Sequence, residues 1–155
     1  MALVVPVFFD TTVLLAGLIE LGDASRHAQK ALAAVAERKL SHPHTAWHCC
    51  LEFFAVSTRL PAEIRLDPHD ALVLIEDEIL RRFQVHQLPD GARKGFLMAA
   101  EHDRVVGGRI YDAHIAEVAR IAGAKTVVTD NRRHYTTLLR HGIRLLGTEE
   151  FAASL

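Results

Sequence analysis

Hydrophobic residues along this chain alternate between short runs of strand length and longer stretches with a helical period. The first run predicts a strand from Leu3 to Phe9, which ends directly on a charged residue. The helices predicted in the first half of the chain are Thr12 to Glu20, Ser25 to Arg38 and Pro43 to Thr58. A further helix is expected to open near Pro68.

The second half of the chain continues this alternation. Strand character returns in "RFQVHQL" and is followed by a helix near Gly91 to His102 and the loop "DRVVGG". The last third predicts, in order, helix Ile110 to Ala122, strand Lys125 to Val128, helix Asn131 to Arg140 and strand Ile143 to Leu146. Strand, helix, strand repeats of this length predict an α/β protein whose sheet is mainly parallel and covered by helices.

Acidic residues follow two of the predicted strands. Asp10 comes after "VFF" and Asp130 after "TVVT", and ligands of parallel sheets collect beyond the carboxyl ends of the strands. Each of these carboxylates could instead do no more than cap the helix that follows it. The same alternative holds for Asp112, near the start of "YDAHIAEVARIAG".

Glu52 is harder to explain as a structural residue. Its helical neighbours Cys49, Ala55 and Val56 are apolar and only His48 is polar, which predicts a glutamate on an apolar surface. Carboxylates that converge repel one another and oppose folding unless a cation neutralises them. Hard oxygen ligands of this kind favour Mg²⁺ or Mn²⁺, which can generate hydroxide from water and steady a leaving oxygen during phosphodiester hydrolysis.

The composition of the chain limits the number of domains, the possible binding partners and the expected cellular compartment. At 155 residues and 17.2 kDa the chain is expected to form one domain over residues 1–155. A net charge of −1 excludes binding of nucleic acid through a broad basic surface, so contact with phosphate must be local or helped by a metal. The adjacent Cys49 and Cys50 offer no disulfide framework, and Asp10 interrupts the apolar N-terminus, which favours a cytoplasmic protein without a signal peptide or membrane span.

Other chemistries are less well supported. A zinc site could use His42, His44, His48 and Cys49, but no second ligand cluster accompanies them. The G-x-S-x-G elbow and the glycine-rich nucleotide loops are missing. A phosphatase of the haloacid dehalogenase type would need a second aspartate where Thr12 stands.

Four segments in order, "FFDTTVLLAG", "LEFFAV", "GGRIYDAHIAEVAR" and "VVTDNRRHY", resemble the PIN-domain ribonucleases, and most of all the toxin half of VapBC-type toxin-antitoxin pairs. The resemblance implies a three-layer α/β/α fold with a central, mainly parallel sheet. It also implies Mg²⁺-dependent or Mn²⁺-dependent cleavage of RNA, a homodimer, and inhibition by a small cognate antitoxin. The apolar helices near the N-terminus would be the place where an antitoxin helix docks, although core packing explains them as well.

By position, the resemblance assigns catalytic and metal-binding roles to Asp10, Glu52, Asp112 and Asp130. Thr12 falls where the family often has Asn or Ser, and Thr129, Asp130 and Asn131 place Asn131 in the register of the usual fourth acid. Either Asp130 or Asn131 could therefore face the metal, with Thr12 and Thr129 in support. Arg132, Arg133 and His134 are expected to meet phosphate, or to be a solvated first turn of helix. A PIN-like module that binds RNA or protein without catalysis is the alternative function.

Overall fold

The computed structural model describes residues 5–155 and places a parallel sheet at the centre of the molecule. The strands are β1 (Val7–Phe9), β2 (Pro43–Ala46), β3 (Gln84–His86), β4 (Thr126–Val128) and β5 (Arg144–Leu146). The α-helices are α1 (Thr11–Leu18), α2 (Ser25–Ala36), α3 (Trp47–Ser57), α4 (Pro68–Leu74), α5 (Arg93–His102), α6 (Arg109–Ile121) and α7 (Thr148–Ala153). A π-helical turn, Ile75–Leu80, extends α4.

Within the described residues the sheet has five strands in the order β3-β2-β1-β4-β5, and every pair is parallel. The central strand β1 aligns Val7 with Pro43 on one side and with Thr126 on the other. Its three residues are fully buried, as expected for a parallel strand covered on both faces. The predicted α/β class and parallel sheet are confirmed. Leu3 and Val4, which the predicted first strand also included, lie outside the described residues.

The helices form two layers. In the first layer α1 contacts α2 and α3, α2 contacts α7, and α3 contacts α4. In the second layer α6 contacts both α5 and the 3₁₀ segment Thr136–His141. The sheet grows from β1 to β3 in one direction and from β4 to β5 in the other, and right-handed crossovers then put these two groups on opposite faces. The three-layer α/β/α arrangement is therefore confirmed. The direction of growth reverses between β1 and β4, which is where ligands of such sheets bind.

Two predicted helices are wrong in part. The helix expected from Pro43 begins only at Trp47, because the four residues before it form the buried strand β2 between β1 and β3. The helix expected over Asn131 to Arg140 consists of 3₁₀ segments at Arg132–His134 and Thr136–His141. The short helix α7 carries too few residues for a periodic pattern and was not predicted. In both corrected segments, contacts with distant residues outweigh the local helical period.

No helix within residues 5–155 is long and apolar enough to cross a membrane. Cys49 and Cys50 are free and buried.

Most apolar side chains of α1 and α2 are buried, because these helices pack on each other and α2 packs on α7. Core packing therefore accounts for much of the apolar surface that the sequence offered as a groove for an antitoxin.

Candidate active site

Asp10 lies at the carboxyl end of β1, beside the end of β4, at the point where the sheet changes direction. Its Oδ1 accepts hydrogen bonds from the backbone N–H of Val13 at 3.1 Å and from Thr12 Oγ1 at 2.6 Å. Its Oδ2 accepts a short hydrogen bond from Thr129 Oγ1. Asp10 therefore caps α1, which is the structural alternative considered from the sequence, and it also joins the ends of β1 and β4.

The electrostatics of Asp10 go beyond those of an ordinary helix cap. The side chain is only 1% exposed, and this burial raises the pKa of its carboxyl from 3.8 to about 6. Hydrogen bonds from Thr12, Thr129 and Val13 oppose the rise in pKa, and the charge of Asp130 adds to it. No Lys, Arg or His side chain forms an ion pair with Asp10 in the described part of the chain. Asp10 is thus a buried acid whose charge the protein leaves uncompensated.

Glu52 lies on α3 and is held by two polar partners. Thr11 Oγ1 donates to Glu52 Oε1 at 3.1 Å, and His48 Nε2 lies 3.4 Å from the same oxygen. The Glu52 side chain is 37% exposed, so it lies on an apolar surface, as the sequence predicted, but is not buried there. The pattern could not show this, because the exposed residues around Glu52 on α3 are themselves apolar. Thr11, which the sequence did not single out, links Glu52 to the start of α1.

Asp112 lies in the first turn of α6 and contacts the segment that follows β4. His134 Nδ1 is 2.8 Å from Asp112 Oδ2, and the Asn131 amide nitrogen lies 3.1 Å from the same ring atom. The carboxylate accepts from a protonated Nδ1, which fixes the imidazole tautomer when His134 is neutral. An Nδ1 that donates to Asp112 has no lone pair left for the Asn131 N–H, so Asn131 lies beside this contact without extending it to Asp112. His134, expected from the sequence to meet phosphate, contacts a carboxylate instead.

Asp130 is turned towards the start of α7. Its Oδ1 accepts from the backbone N–H of Thr148 at 2.9 Å, and its Oδ2 accepts from Thr148 Oγ1 at 2.9 Å. Asp130 therefore does not cap the segment that follows it, the alternative considered for this residue; it bonds the first residue of α7 instead. Its charge still acts on Asp10, so it remains near the site while its hydrogen bonds serve α7.

Tyr135 is buried within electrostatic reach of three of the acids. Its phenol has a raised pKa, first because of desolvation and then because of the negative charges of Asp10, Asp112 and Glu52. Asp10, Glu52 and Asp112, which come from three different elements, therefore lie within electrostatic reach of one hydroxyl. The sequence did not indicate that Tyr135 lies close to the acids, because an aromatic residue in a predicted helix is usually explained as part of the hydrophobic core.

The donors around this site suit a hard divalent cation, since they are carboxylate and hydroxyl oxygens. Their present arrangement does not form a complete shell: within residues 5–155 no group of three or more His, Cys, Asp or Glu side chains is placed to hold a metal ion. Each acid is engaged by a protein partner instead, namely Thr129 for Asp10, Thr11 for Glu52, His134 for Asp112 and Thr148 for Asp130. The residues fit a cation by chemistry, and holding one requires some of these hydrogen bonds to be exchanged.

The two arginines expected to meet phosphate are placed differently. Arg132 Nη1 bonds Glu150 Oε1 at 2.5 Å, which ties it to α7. Arg133 makes no ion pair among the described residues and lines a cavity of about 180 Å³ that also contains Asp112, Arg104 and Arg109. This surface is called the arginine groove below. The sequence missed Arg104 and Arg109, because they lie some 25 residues before Arg133 and meet it only in the fold.

The histidines considered for zinc do not assemble a zinc site. His44 Nδ1 lies 2.7 Å from His86 Nε2, while His48 faces Glu52. Burial raises the pKa of the Cys49 thiol to about 12, so this side chain is a neutral core group.

Comparison with known proteins defines the family. The model of the PIN domain family matches residues 7–138, which span β1 to the segment after β4. Ribonuclease VapC40 of Mycobacterium tuberculosis is 32% identical over 124 residues, covering 79% of this chain and 85% of that protein. The chain belongs to the PIN domain family, and the resemblance first seen in its motifs is confirmed.

Solved structures share the fold at lower sequence identity. FitAcB from Neisseria gonorrhoeae superimposes with a TM-score of 0.59 at 16% identity, covering 92% of this chain and 98% of that one. VapBC-1 from nontypeable Haemophilus influenzae gives a TM-score of 0.60 at 13% identity, covering 92% and 98%. PAE2754 from Pyrobaculum aerophilum gives 0.58 at 21% identity, covering 98% and 97%. At these identities the likeness concerns the fold alone.

Proposed function

We propose that this protein is an endoribonuclease that depends on Mg²⁺ or Mn²⁺ and is the toxin of a VapBC-type toxin-antitoxin pair. The observation that carries the proposal is that hydrogen bonds link the surroundings of three acids, with Asp10 buried and without an ion-pair partner in the described residues. Thr11, next to Asp10, donates to Glu52, and Thr129, which donates to Asp10, accepts from the backbone of the segment whose His134 contacts Asp112. A cation is the natural partner of such a set. The similarity to ribonuclease VapC40 supports RNA as the substrate.

Asp10, Glu52 and Asp112, with Asp130 or Asn131, would hold the ion. When bound, it supplies a hydroxide from water at neutral pH and stabilises charge on the phosphate oxygens. The chain's own residues orient the donors: Thr12 and Thr129 fix the carboxylate of Asp10, and His134 fixes that of Asp112. Arg133 lies in the groove beside Asp112 and can bind phosphate.

The test is cleavage of a mixed cellular RNA pool by the purified protein with Mg²⁺ or Mn²⁺ and with chelator. Asp10→Asn and Asp112→Asn are expected to abolish the metal-dependent cuts. Asp23→Asn, at an exposed aspartate with no role in the site, is the matched control and should cut like the wild type. Cuts that persist in chelator, or in both site variants, would contradict the proposal.

A binding module without catalysis is the second candidate. It is favoured by the hydrogen bonds that already engage each acid and by the incomplete metal shell in the described residues. RNA binding without cleavage by the folded wild type, unchanged by metal, would support this alternative.

The partners and compartment are proposed on the same basis. We infer a homodimer, a small cognate antitoxin that suppresses RNA cleavage, and a cytoplasmic location. Sedimentation of the purified protein tests the first, and addition of the co-encoded small protein to the cleavage assay tests the second. A monomer at all concentrations, or full cleavage in the presence of that protein, would contradict these inferences.

A further inference from the structure

An apolar cleft of about 500 Å³ opens beside the acidic site. It lies between the start of α3, the residues after β3, and helices α5 and α6. Its walls include the rings of Trp47, His48, Phe96, Tyr111 and His114, and it is called the aromatic cleft below. The proposed chemistry of the acids uses none of these rings.

The rings form a continuous surface. His48 stacks on Tyr111 with 5.6 Å between centroids and 25° between planes. His114 meets His48 edge-on at 5.1 Å and contacts Phe96 at 5.7 Å. Tyr111 is 56% exposed and Trp47 is 40% exposed, so aromatic faces remain uncovered at the mouth of the cleft. Uncovered planar rings of this kind are stacking partners for other planar rings.

The aromatic cleft shares a wall with the acidic site. His48 stacks on Tyr111 through its ring and faces Glu52 Oε1 at 3.4 Å through Nε2. Tyr111 directly precedes Asp112 on α6. A ligand whose planar ring lies in the cleft would therefore have its neighbouring atoms close to the carboxylates.

The charge of the residues that line the aromatic cleft indicates which kind of ring the cleft would bind. The lining contains no Asp or Glu, and its polar residues include Gln87 and Arg93. The cleft thus suits a neutral ring with hydrogen-bonding edges. On another side of α6 the arginine groove contains Arg104, Arg109 and Arg133, and Phe96 borders both cavities. The groove also holds Asp112 and two carboxylates, Asp103 and Glu117, that are already paired with Arg140 and Arg120.

We propose that the aromatic cleft binds one unpaired base of the RNA next to the bond that is cut, while the arginine groove holds the adjoining phosphates. This rests on the proposed function, because it names the subsite that positions RNA at the same acids. Single-stranded RNA is recognised by stacking of splayed bases on aromatic and histidine rings. The occupant is a base and not a protein side chain, because planar rings make up about half of the lining and the cleft adjoins Glu52 through His48 and the arginine groove through Phe96.

Trp47 provides a direct readout, because it is the only tryptophan in the chain. The wild type is titrated in chelator, where no cleavage is required, with octamers of uridylate, cytidylate and adenylate. The control ligand is an abasic ribose-phosphate octamer, which keeps the charge and lacks bases. The expected result is saturable quenching of Trp47 by the RNA octamers, with the abasic octamer binding roughly tenfold or more weakly.

Tyr111→Leu removes the exposed ring and keeps an apolar side chain, so it tests stacking with little effect on folding. It is expected to weaken octamer binding roughly tenfold and to raise KM for RNA cleavage more than it lowers kcat. Phe54→Leu, at an exposed ring of α3 that lines neither cavity, is the matched control and should bind like the wild type.

Three results would overturn the inference: equal binding of the abasic octamer, unchanged binding by Tyr111→Leu, or no quenching in a protein that cuts RNA. Trp47 fluorescence that responds to protein concentration but not to RNA would instead identify the cleft as a contact between copies. The proposed nuclease activity can fail independently of this inference. Base-dependent quenching without RNA cleavage in the presence of metal would support base binding in the cleft and contradict the proposed nuclease activity.

Discussion

Asp10 shows how one residue can serve the fold and oppose it at once. Its carboxylate caps α1 and joins two strands, yet it is buried without a cation. Burial raises its pKa to about 6, so the folded protein binds a proton at this site more tightly than the unfolded chain does. The charged form of Asp10 therefore costs stability, and a bound cation would relieve that cost.

The first prediction concerns Asp10→Asn in metal-free buffer. Because the pKa is raised on folding, wild-type stability relative to the variant should fall as pH rises from about 3.8 to about 6, and stay constant above that. At pH 7.5 the variant should be more stable, by up to roughly 3 kcal/mol. Urea unfolding of both proteins at several pH values measures this difference. A variant less stable than the wild type at pH 7.5 would show that the lost carboxylate hydrogen bonds matter more than desolvation.

His134 is the second residue with a testable role. It is expected to act through Asp112, whose carboxylate it contacts at 2.8 Å. His134→Ala should lower RNA cleavage about 10-fold to 100-fold, because partners that orient a metal-binding carboxylate have effects of this size. Higher Mg²⁺ should restore part of the activity, and the cleavage rate as a function of Mg²⁺ concentration tests this. His69→Ala, at an exposed histidine that lines neither cavity, is the control; equal losses in both variants would argue against a specific contact.

At the scale of elements, the packing of α1 on α2 depends on a small residue. A Cβ added at Gly17 would lie 2.6 Å from Leu32 Cδ2 and 3.0 Å from the backbone oxygen of Ala28. Glycine in a helix normally costs stability relative to alanine, but here it allows two helices to approach closely. These helices carry Thr12, which holds Asp10, so the contact also supports the site.

The third prediction follows from this contact. Gly17→Ala should destabilise the protein by about 1 to 3 kcal/mol, because overpacking outweighs the gain in helix propensity. Gly95→Ala, in α5 with no atom within 4 Å of the added Cβ, should stabilise it by up to about 1 kcal/mol. Chemical unfolding of the two variants gives the comparison. A stabilised Gly17→Ala would mean that Leu32 moves aside at no cost.

The segment after β4 shows why element types can be misjudged. Residues 131–140 have a helical period, yet they form 3₁₀ turns with bonds such as His134 N–H to Asn131 O at 3.0 Å. This path buries Tyr135 among the acids and brings His134 to Asp112. Contacts with residues more than 20 positions earlier decide the geometry, and a local pattern does not contain them.

At the scale of the whole molecule, the sheet brings the acids together. Asp10 directly follows β1, Glu52 lies on the helix after β2, and Asp112 lies at the start of the helix that leads to β4, so the strand order brings them to one edge of the sheet. A ligand that binds only the folded site then stabilises the entire fold.

The fourth prediction uses this linkage. Saturating Mg²⁺ or Mn²⁺ should raise the wild-type melting temperature by about 5 to 10 °C, since a free concentration of 100 times Kd adds about 2.7 kcal/mol. Asp10→Asn should show no such rise, whereas Asp23→Asn should respond like the wild type. A sample with KCl at the same ionic strength, in place of the divalent metal salt, is the control. Equal shifts in all three proteins would indicate a general salt effect and count against a site at Asp10.

The sequence by itself determined the alternation of strands and helices, the parallel sheet and the position of Asp10 behind a buried strand, because period and composition are local properties. It also determined the family, since four motifs in order are a property of the chain. Only the tertiary structure decided that residues 43–46 form a strand, that Asp130 and Arg132 bond to α7, and that Tyr135 lies among the acids. These outcomes depend on which distant side chains meet, and the free energy of burial and pairing at those contacts exceeds local preference.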